Sequence, residues 1–354
     1  MEESFTKARE MQFPRSILVG HDTLAQCAEV SADLGFFGRG AIITGEKSNA
    51  SAGNAVQDFM TEGGYDVDTI VTGAATMANV EEIVARVMEE GYGFLLAVGG
   101  GSKIDITKMV ASRTRVPFIS VPTTASHDGI ASGRASLKSD LGPKSVQAVA
   151  PMGIIADTGV ISRAPYRYLA AGCADVISNL TALMDWEFAR RLRNEFFSST
   201  AYYLSKHSAE AIIENAEFIK PDIEESVWTV IKPIIISGTS MSIAGNSRPT
   251  SGSEHMFSHA LDILYPDRAL HGEQCGVGTI MMTYLHGGDW MRIRKALKDI
   301  GAPVDAKGIN LKEDEVVEAL SKMHTIRKDR FTIVGEKGLS PEVARVVAET
   351  TLVI

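Results

Sequence analysis

The amino-acid sequence predicts an α/β fold in which a parallel sheet covered by helices fills the first half and an all-helical region the second. Three observations carry that expectation. Short β-branched runs alternate with longer helix-like stretches as far as Ile155, a glycine-rich turn joins the most apolar of these runs to a helix start, and beyond Pro165 helical periodicity dominates. The 354 residues exceed what one hydrophobic core ordinarily serves, so two domains sharing a cleft are expected, 1–162 and 163–354, with the boundary between Ile161 and Pro165.

In chain order the strand candidates are Ser16–Val19, Ala41–Thr44, Thr69–Val71, Phe94–Val98, Phe118–Val121 and Ile154–Ile155. Between them Asp22–Leu34, Ser48–Thr61, Asn79–Glu90 and Ser102–Ser112 carry apolar residues at helical spacing, several behind a Ser, Asn or Asp able to cap a helix. Strands separated by helices imply crossover connections, hence a parallel sheet. No internal repeat or low-complexity segment interrupts the pattern.

Composition narrows the function. Hydrophobic residues make up 45% and charged residues 22%, enough apolar material for a substantial interior. A net charge of −9 counts against a sequence-independent grip on nucleic-acid phosphates. The three cysteines, Cys27, Cys173 and Cys275, form no Cys-x-x-Cys pair, so neither a disulfide framework nor a cysteine zinc cluster is indicated, and the cytosol is the expected compartment. The acidic start Met1-Glu2-Glu3 has no apolar block behind it. The apolar run near Ile231 reads as broken by Lys232, Pro233 and Gly238, so no signal peptide or membrane span is expected.

The sharpest local feature is Phe94–Val98 running into Gly99-Gly100-Gly101-Ser102-Lys103-Ile104-Asp105. Glycines let the backbone come close to a pyrophosphate, whose charge then meets the N–H groups and positive dipole of a helix N-terminus. The turn departs from G-x-G-x-x-G, because Ile104 holds the sixth position and the turn follows a late strand; a plain strand-to-helix turn competes with the cofactor reading. A second loop, Thr123-Thr124-Ala125-Ser126-His127-Asp128-Gly129, is dense in hydroxyls. In a parallel sheet both loops line one crevice, which points to a shared ligand. At the end of the second strand Glu46 favours a free ribose hydroxyl and Lys47 a 2′-phosphate, so the expected cofactor is NAD(P) without preference.

The second half supplies metal candidates. His255 and His259 stand at i and i+4 and share a helix face, and His271 lies in a glycine-flanked segment. With Glu254 ahead of the first histidine, the zincin pattern is absent and peptidase chemistry is disfavoured. Asp175, taken on helix geometry alone, reads as a solvated acid. An Asp joined by two His with one open position is a catalytic zinc arrangement. Cys275 is a competing ligand by residue type but is expected to be a packing residue. For an anionic substrate, Lys206, His207 and Arg248 are the basic residues nearest the metal segments, although each also reads as ordinary surface charge.

Taken together, Gly99–Asp105, Pro122–Gly129, Gly172–Asp175, Ser253–His259 and His271-Gly272-Glu273 are spread in this order over nearly the whole chain and resemble the sn-glycerol-1-phosphate dehydrogenase family, with Ser126–Gly133 the most discriminating piece. That family belongs with glycerol dehydrogenases, iron-containing alcohol dehydrogenases and dehydroquinate synthase. The resemblance implies a Rossmann-like nucleotide-binding domain followed by a helical metal-binding domain. It implies that Asp175, His255 and His271 hold Zn2+ or another divalent ion, that Asp128 and His259 contact substrate, and that Asp128, Asp175 and His259 form the catalytic set. Gly100, Gly101, Ser102, Lys103, Ile104, Asp105, Thr123, Thr124, Ala125, Ser126 and Ser132 would contact NAD(P). His259 thereby becomes a substrate or proton-relay residue instead of a joint ligand with His255. The implied reaction is interconversion of dihydroxyacetone phosphate and sn-glycerol 1-phosphate, which supplies the backbone of archaeal-type membrane lipids, carried out by a homo-oligomer. A glycerol dehydrogenase of the same fold, a dehydroquinate-synthase-like lyase and a non-catalytic nucleotide-binding protein are the rival readings.

Overall fold

The computed structural model describes residues 10–139 and 142–354; the acidic start lies outside them. All six strand candidates are strands: β1 Ser16–Gly20, β2 Arg39–Thr44, β3 Asp66–Val71, β4 Phe94–Gly99, β5 Phe118–Pro122 and, after a hairpin, β8 Gly153–Asp157. They form one parallel sheet in the order β1-β8-β5-β4-β2-β3. β4, β5 and β8 are buried along their whole length, which explains why they read as continuous apolar runs without alternation. The chain steps outward from β2 to β3 and returns to the other side of β2 as β4, so β2 and β4 flank a topological switch point, where open α/β sheets bind ligands.

The covering helices are α1 Cys27–Asp33, α2 Glu46–Ser48, α3 Asn54–Glu62, α4 Met77–Glu90, α5 Gly101–Thr114 and α6 Thr158–Ser162. Two starts differ from expectation. Asp22 has a left-handed backbone and accepts no capping bond, so the first segment opens as a 3-10 turn, Thr23–Gln26, before α1. The second is interrupted by a π-helical turn, Asn49–Gly53, between α2 and α3.

An antiparallel hairpin, β6 Arg134–Ser139 with β7 Gly142–Gln147, was not expected from the sequence. Its period-2 signal is short: only Ala135 and Leu137 of β6 point inward, at 2% and 3% exposure. Asp105 fastens it to α5, its Oδ2 accepting from the Ser136 N–H (3.0 Å) while Oδ1 receives Lys108 Nζ (3.1 Å).

Among the described residues, everything after α6 is helical: α7 Tyr166–Ile177, α8 Asn179–Arg193, α9 Ser199–Glu214, α10 Glu224–Ala244, α11 Ser253–Leu264, α12 His271–Leu285, α13 Trp290–Ile300, α14 Glu313–Lys322 and α15 Pro341–Thr350, with short 3-10 turns. α10 corrects one reading. It runs unbroken through Lys232, Pro233 and Gly238 for 21 residues, long and apolar enough to cross a membrane by length and composition. Val230, Ile231, Ile234 and Ile235 are nevertheless buried in the main hydrophobic core, so packing accounts for the apolar run.

Candidate active site

A cleft of about 1250 Å3 opens at the carboxyl ends of β2, β3, β4 and β5. Gly100, Gly101, Ser102 and Lys103 line it from the glycine turn, Thr123, Thr124 and Ser126 from the next loop, and Glu46 and Lys47 from the end of β2. The register pairs Gly99 with Pro122, which sets the two loops level. Lys103 does not reach freely into the cleft: its half-buried ammonium donates to the carbonyls of Thr72 (2.8 Å) and Gly73, and burial lowers its pKa. Four of the residues expected at the cofactor sit elsewhere. Ile104 and Ala125 are core side chains, while Asp105 and Ser132 are buried beside the hairpin and line a second, smaller cavity.

That second cavity, about 420 Å3, shares the walls formed by Ser102, Ser126, His127 and Tyr168 with the cleft. Asp128, His255, His259 and His271 line it. Asp175, on α7, stands beside two of these histidines. It is 4% exposed, and the expectation of a solvated acid fails because the face of α7 opposite the apolar stripe is covered by α12 and the Asp128 turn. Two glycines allow that cover: a Cβ on Gly172 would stand 1.9 Å from the Ala125 carbonyl oxygen, and one on Gly272 2.0 Å from that of Ala171.

Asp175 Oδ1 stands 3.9 Å from His255 Nε2 and 3.7 Å from His271 Nε2. These atoms and Cys275 Sγ all lie within 4.8 Å of one another. Each inward atom is left available by hydrogen bonds behind it. The Asp128 backbone N–H donates to Asp175 Oδ2 at 3.0 Å, leaving Oδ1. His255 Nδ1 donates to Glu254 Oε1 at 2.9 Å, leaving Nε2 as acceptor. Ser258 Oγ gives its proton to Gln274 Oε1 at 2.6 Å, so at 3.0 Å it accepts from His271 Nδ1, again leaving Nε2. Burial pushes the His255 and His259 imidazolium forms well below 6.5, so both rings are neutral donors near pH 7. Burial also raises Asp175 and Asp128 to about 7, Asp128 further through its neighbour Asp175. Two imidazoles and a buried carboxylate, each with its rear atom satisfied, fit a divalent cation.

His259 differs from the other two histidines. Among the described residues its Nδ1 is buried without a hydrogen-bond partner, with Asp262 Oδ2 4.0 Å away, and its ring stacks on His271 at 5.9 Å. Across the cavity, Asp128 Oδ2 accepts from Ser237 Oγ at 2.8 Å. The basic residues singled out for a substrate anion are not here. Lys206 and His207 are exposed on α9, and Arg248 is buried in an ion pair with Glu195. Arg134, Lys138 and Arg327 line the cavity instead. Sequence reasoning missed them because they come from the unforeseen hairpin and from a loop far along the chain. It also missed Glu254 as a partner of His255, although adjacency offered the signal.

Residues 18–165 match the model of a family described as iron-containing alcohol dehydrogenase. The chain is 51% identical over 347 residues to the glycerol-1-phosphate dehydrogenase (NAD(P)+) of Methanosarcina mazei, covering 98% of this chain and 97% of that one. It is 49% identical to the protein of the same name from Thermococcus kodakarensis, covering 97% and 98%. Among solved structures, glycerol dehydrogenase from Schizosaccharomyces pombe superposes with a TM-score of 0.78 at 20% identity, covering 98% of this chain and 91% of that one, a likeness of fold.

Proposed function

The chain belongs to the glycerol-1-phosphate dehydrogenase family, and from that membership we propose that it interconverts dihydroxyacetone phosphate and sn-glycerol 1-phosphate by NAD(P)-linked hydride transfer at the two joined cavities. The observation that carries the reading is the convergence of Asp175 Oδ1, His255 Nε2 and His271 Nε2 on the wall of a cavity continuous with the dinucleotide cleft. Residues 1–162 form the nucleotide-binding domain in this proposal, and 163–354 the metal- and substrate-binding domain.

The glycine turn and α5 N-terminus take the pyrophosphate, with Gly100, Gly101 and Ser102 allowing close approach and Thr123, Thr124 and Ser126 donating from the opposite side. Ile104, Ala125, Asp105 and Ser132 then act from behind, as packing and as anchors of the loops. Glu46 and Lys47 both face the cleft, which supports use of either NAD or NADP. Asp175, His255 and His271 hold the divalent ion, zinc in this proposal, since borderline nitrogen and carboxylate donors suit it. When bound, the ion supplies Lewis-acid polarisation of the reacting oxygen.

The chain's own groups do the rest. His259 is neutral and lines the substrate cavity, where its imidazole exchanges a proton with the substrate's secondary oxygen. Asp128, held by Ser237, orients a substrate hydroxyl. Burial lowers the pKa of Arg134 and the charge of Arg327 lowers it further; both side chains line the substrate cavity, where a phosphate would pair with them. That pair supports a phosphorylated polyol over free glycerol.

The deciding experiment follows oxidation of NADH and NADPH with dihydroxyacetone phosphate before chelation, after it and after zinc reloading, with the product's stereochemistry determined. Metal-dependent formation of sn-glycerol 1-phosphate is expected. Turnover of dihydroxyacetone at equal efficiency would assign the chain to glycerol dehydrogenase chemistry, and no consumption of either cofactor would end the proposal.

A further inference from the structure

The second turn of α12 holds a donor that the three-ligand arrangement leaves unused. Cys275 follows His271 by one turn of α12 and projects from the same face. Its Sγ lies 3.6 Å from His271 Nε2 and within 4.8 Å of the Asp175 and His255 ligand atoms. In a tetrahedral centre with nitrogen and oxygen ligands at about 2.0–2.2 Å and sulfur at about 2.3 Å, donor-to-donor edges run about 3.3–3.6 Å. Three of the six edges, 3.6, 3.7 and 3.9 Å, are within a few tenths of an ångström of those values, and the other three, none longer than 4.8 Å, close around one ion by side-chain rotation of up to about one ångström.

The surroundings of the three cysteines separate Cys275 from the other two. All three are buried with 0% exposure. Cys27 sits within the hydrophobic cluster on one side of the sheet and Cys173 within the main core, as small apolar packing residues do. Cys275 belongs to none of the described hydrophobic clusters; its sulfur faces His271 and the carboxylate of Asp175. The fully buried thiol stands against a carboxylate and an imidazole, outside the described hydrophobic clusters. It supplies a second negative ligand, which with Asp175 neutralises a divalent cation in a dry site.

We propose that in the substrate-free enzyme Cys275 is a fourth, sulfur donor to the divalent ion held by Asp175, His255 and His271, and that it tilts the site towards thiophilic ions such as zinc and cobalt over magnesium and manganese. On binding, the S–H bond gives up its proton to solvent and a sulfur–metal bond forms; no electron changes hands. Thiolate ligands select zinc-like ions, whereas an all-oxygen and nitrogen set discriminates less. The inference rests on the ligand assignment proposed above, and its test separates the two.

Metal-stripped full-length protein is titrated with Co2+ and followed by absorption, alongside Cys275→Val and Asp175→Asn. The expected result is a visible ligand-field spectrum together with a near-ultraviolet sulfur-to-cobalt charge-transfer band. In Cys275→Val the ultraviolet band disappears while visible absorption persists, Zn2+ affinity in chelator competition falls about tenfold, and Mn2+ affinity is unchanged. X-ray absorption of the zinc-loaded unsubstituted protein shows one sulfur at about 2.3 Å, a readout that stands even if the variant folds poorly. Cobalt bound with identical ultraviolet spectra in both proteins, and no sulfur scatterer, overturns the role of Cys275 and leaves the three ligands intact. Failure to bind cobalt, or binding undiminished in Asp175→Asn, overturns the ligand assignment itself and this inference with it.

Discussion

Replacing Glu254 should loosen the metal although Glu254 never touches it. Its buried carboxylate accepts from the Gly252 N–H at 2.6 Å, the Thr181 hydroxyl at 2.8 Å and His255 Nδ1 at 2.9 Å. In Glu254→Gln the amide oxygen keeps the position shared by Gly252 and His255. The new NH2 meets Thr181, whose proton can turn to the Ser178 carbonyl at 2.9 Å. Shape and hydrogen bonds survive; the negative charge behind the imidazole does not. A bond to a charged acceptor contributes about 1.5–3 kcal/mol against about 1 for a neutral one, a loss of about 1–2 kcal/mol. That corresponds to a zinc Kd about 5- to 30-fold weaker, in line with what outer partners of metal-ligating histidines usually contribute. Glu254→Ala strands two buried N–H donors at about 1–3 kcal/mol each, so its affinity should fall at least about 30-fold, with a lower Tm. Competition against a chromophoric chelator measures both. Unchanged zinc affinity in the two variants would refute the reasoning that Glu254 fixes the tautomer and basicity of His255.

Three other outcomes follow from the same geometry. His259→Ala should retain one equivalent of metal by elemental analysis while kcat falls about 10²- to 10⁴-fold, the usual weight of general acid–base catalysis; loss of the metal would show His259 to be a ligand. Arg327→Ala should raise KM for dihydroxyacetone phosphate about 10- to 100-fold and leave the slow turnover of dihydroxyacetone unchanged, as expected for one charge-assisted contact to a phosphate; an equal loss on both substrates would place Arg327 in the fold instead of the anion pocket. Gly172→Ala puts a Cβ 1.9 Å from the Ala125 carbonyl, so thermal unfolding should show about 1–3 kcal/mol lost to overpacking and metal affinity should drop with it; a Tm and Kd like those of the unsubstituted protein would contradict the close docking of α7 on that loop.

The strands of the sheet were legible because Phe94–Val98 and Phe118–Val121 are apolar at every position, a signature of strands covered on both faces. The hairpin was not, since two inward residues in a polar stretch are too few to establish a period. α10 misled through Pro233 and Lys232, whose local cost is outweighed by the packing of Ile231, Ile234 and Ile235 in the core. At the site, His255, His259 and His271 drew notice by their spacing alone. Their division into two inward Nε2 atoms and one partnerless Nδ1 depends on Glu254, Ser258 and Gln274, contacts that no periodicity encodes. Asp175 reads as exposed until α12 and the Asp128 turn are laid over it, which two glycines permit. Arg134 and Arg327, which line the smaller cavity together, are more than half the chain apart in sequence and meet only in three dimensions.

Anomalous scattering at the zinc edge from crystals of the zinc-loaded protein tests the central claim most directly. A single strong peak within bonding distance of Asp175 Oδ1, His255 Nε2 and His271 Nε2, on the wall of the smaller cavity, is the predicted result. A peak elsewhere on the chain, or full occupancy in an Asp175→Asn crystal, would contradict it.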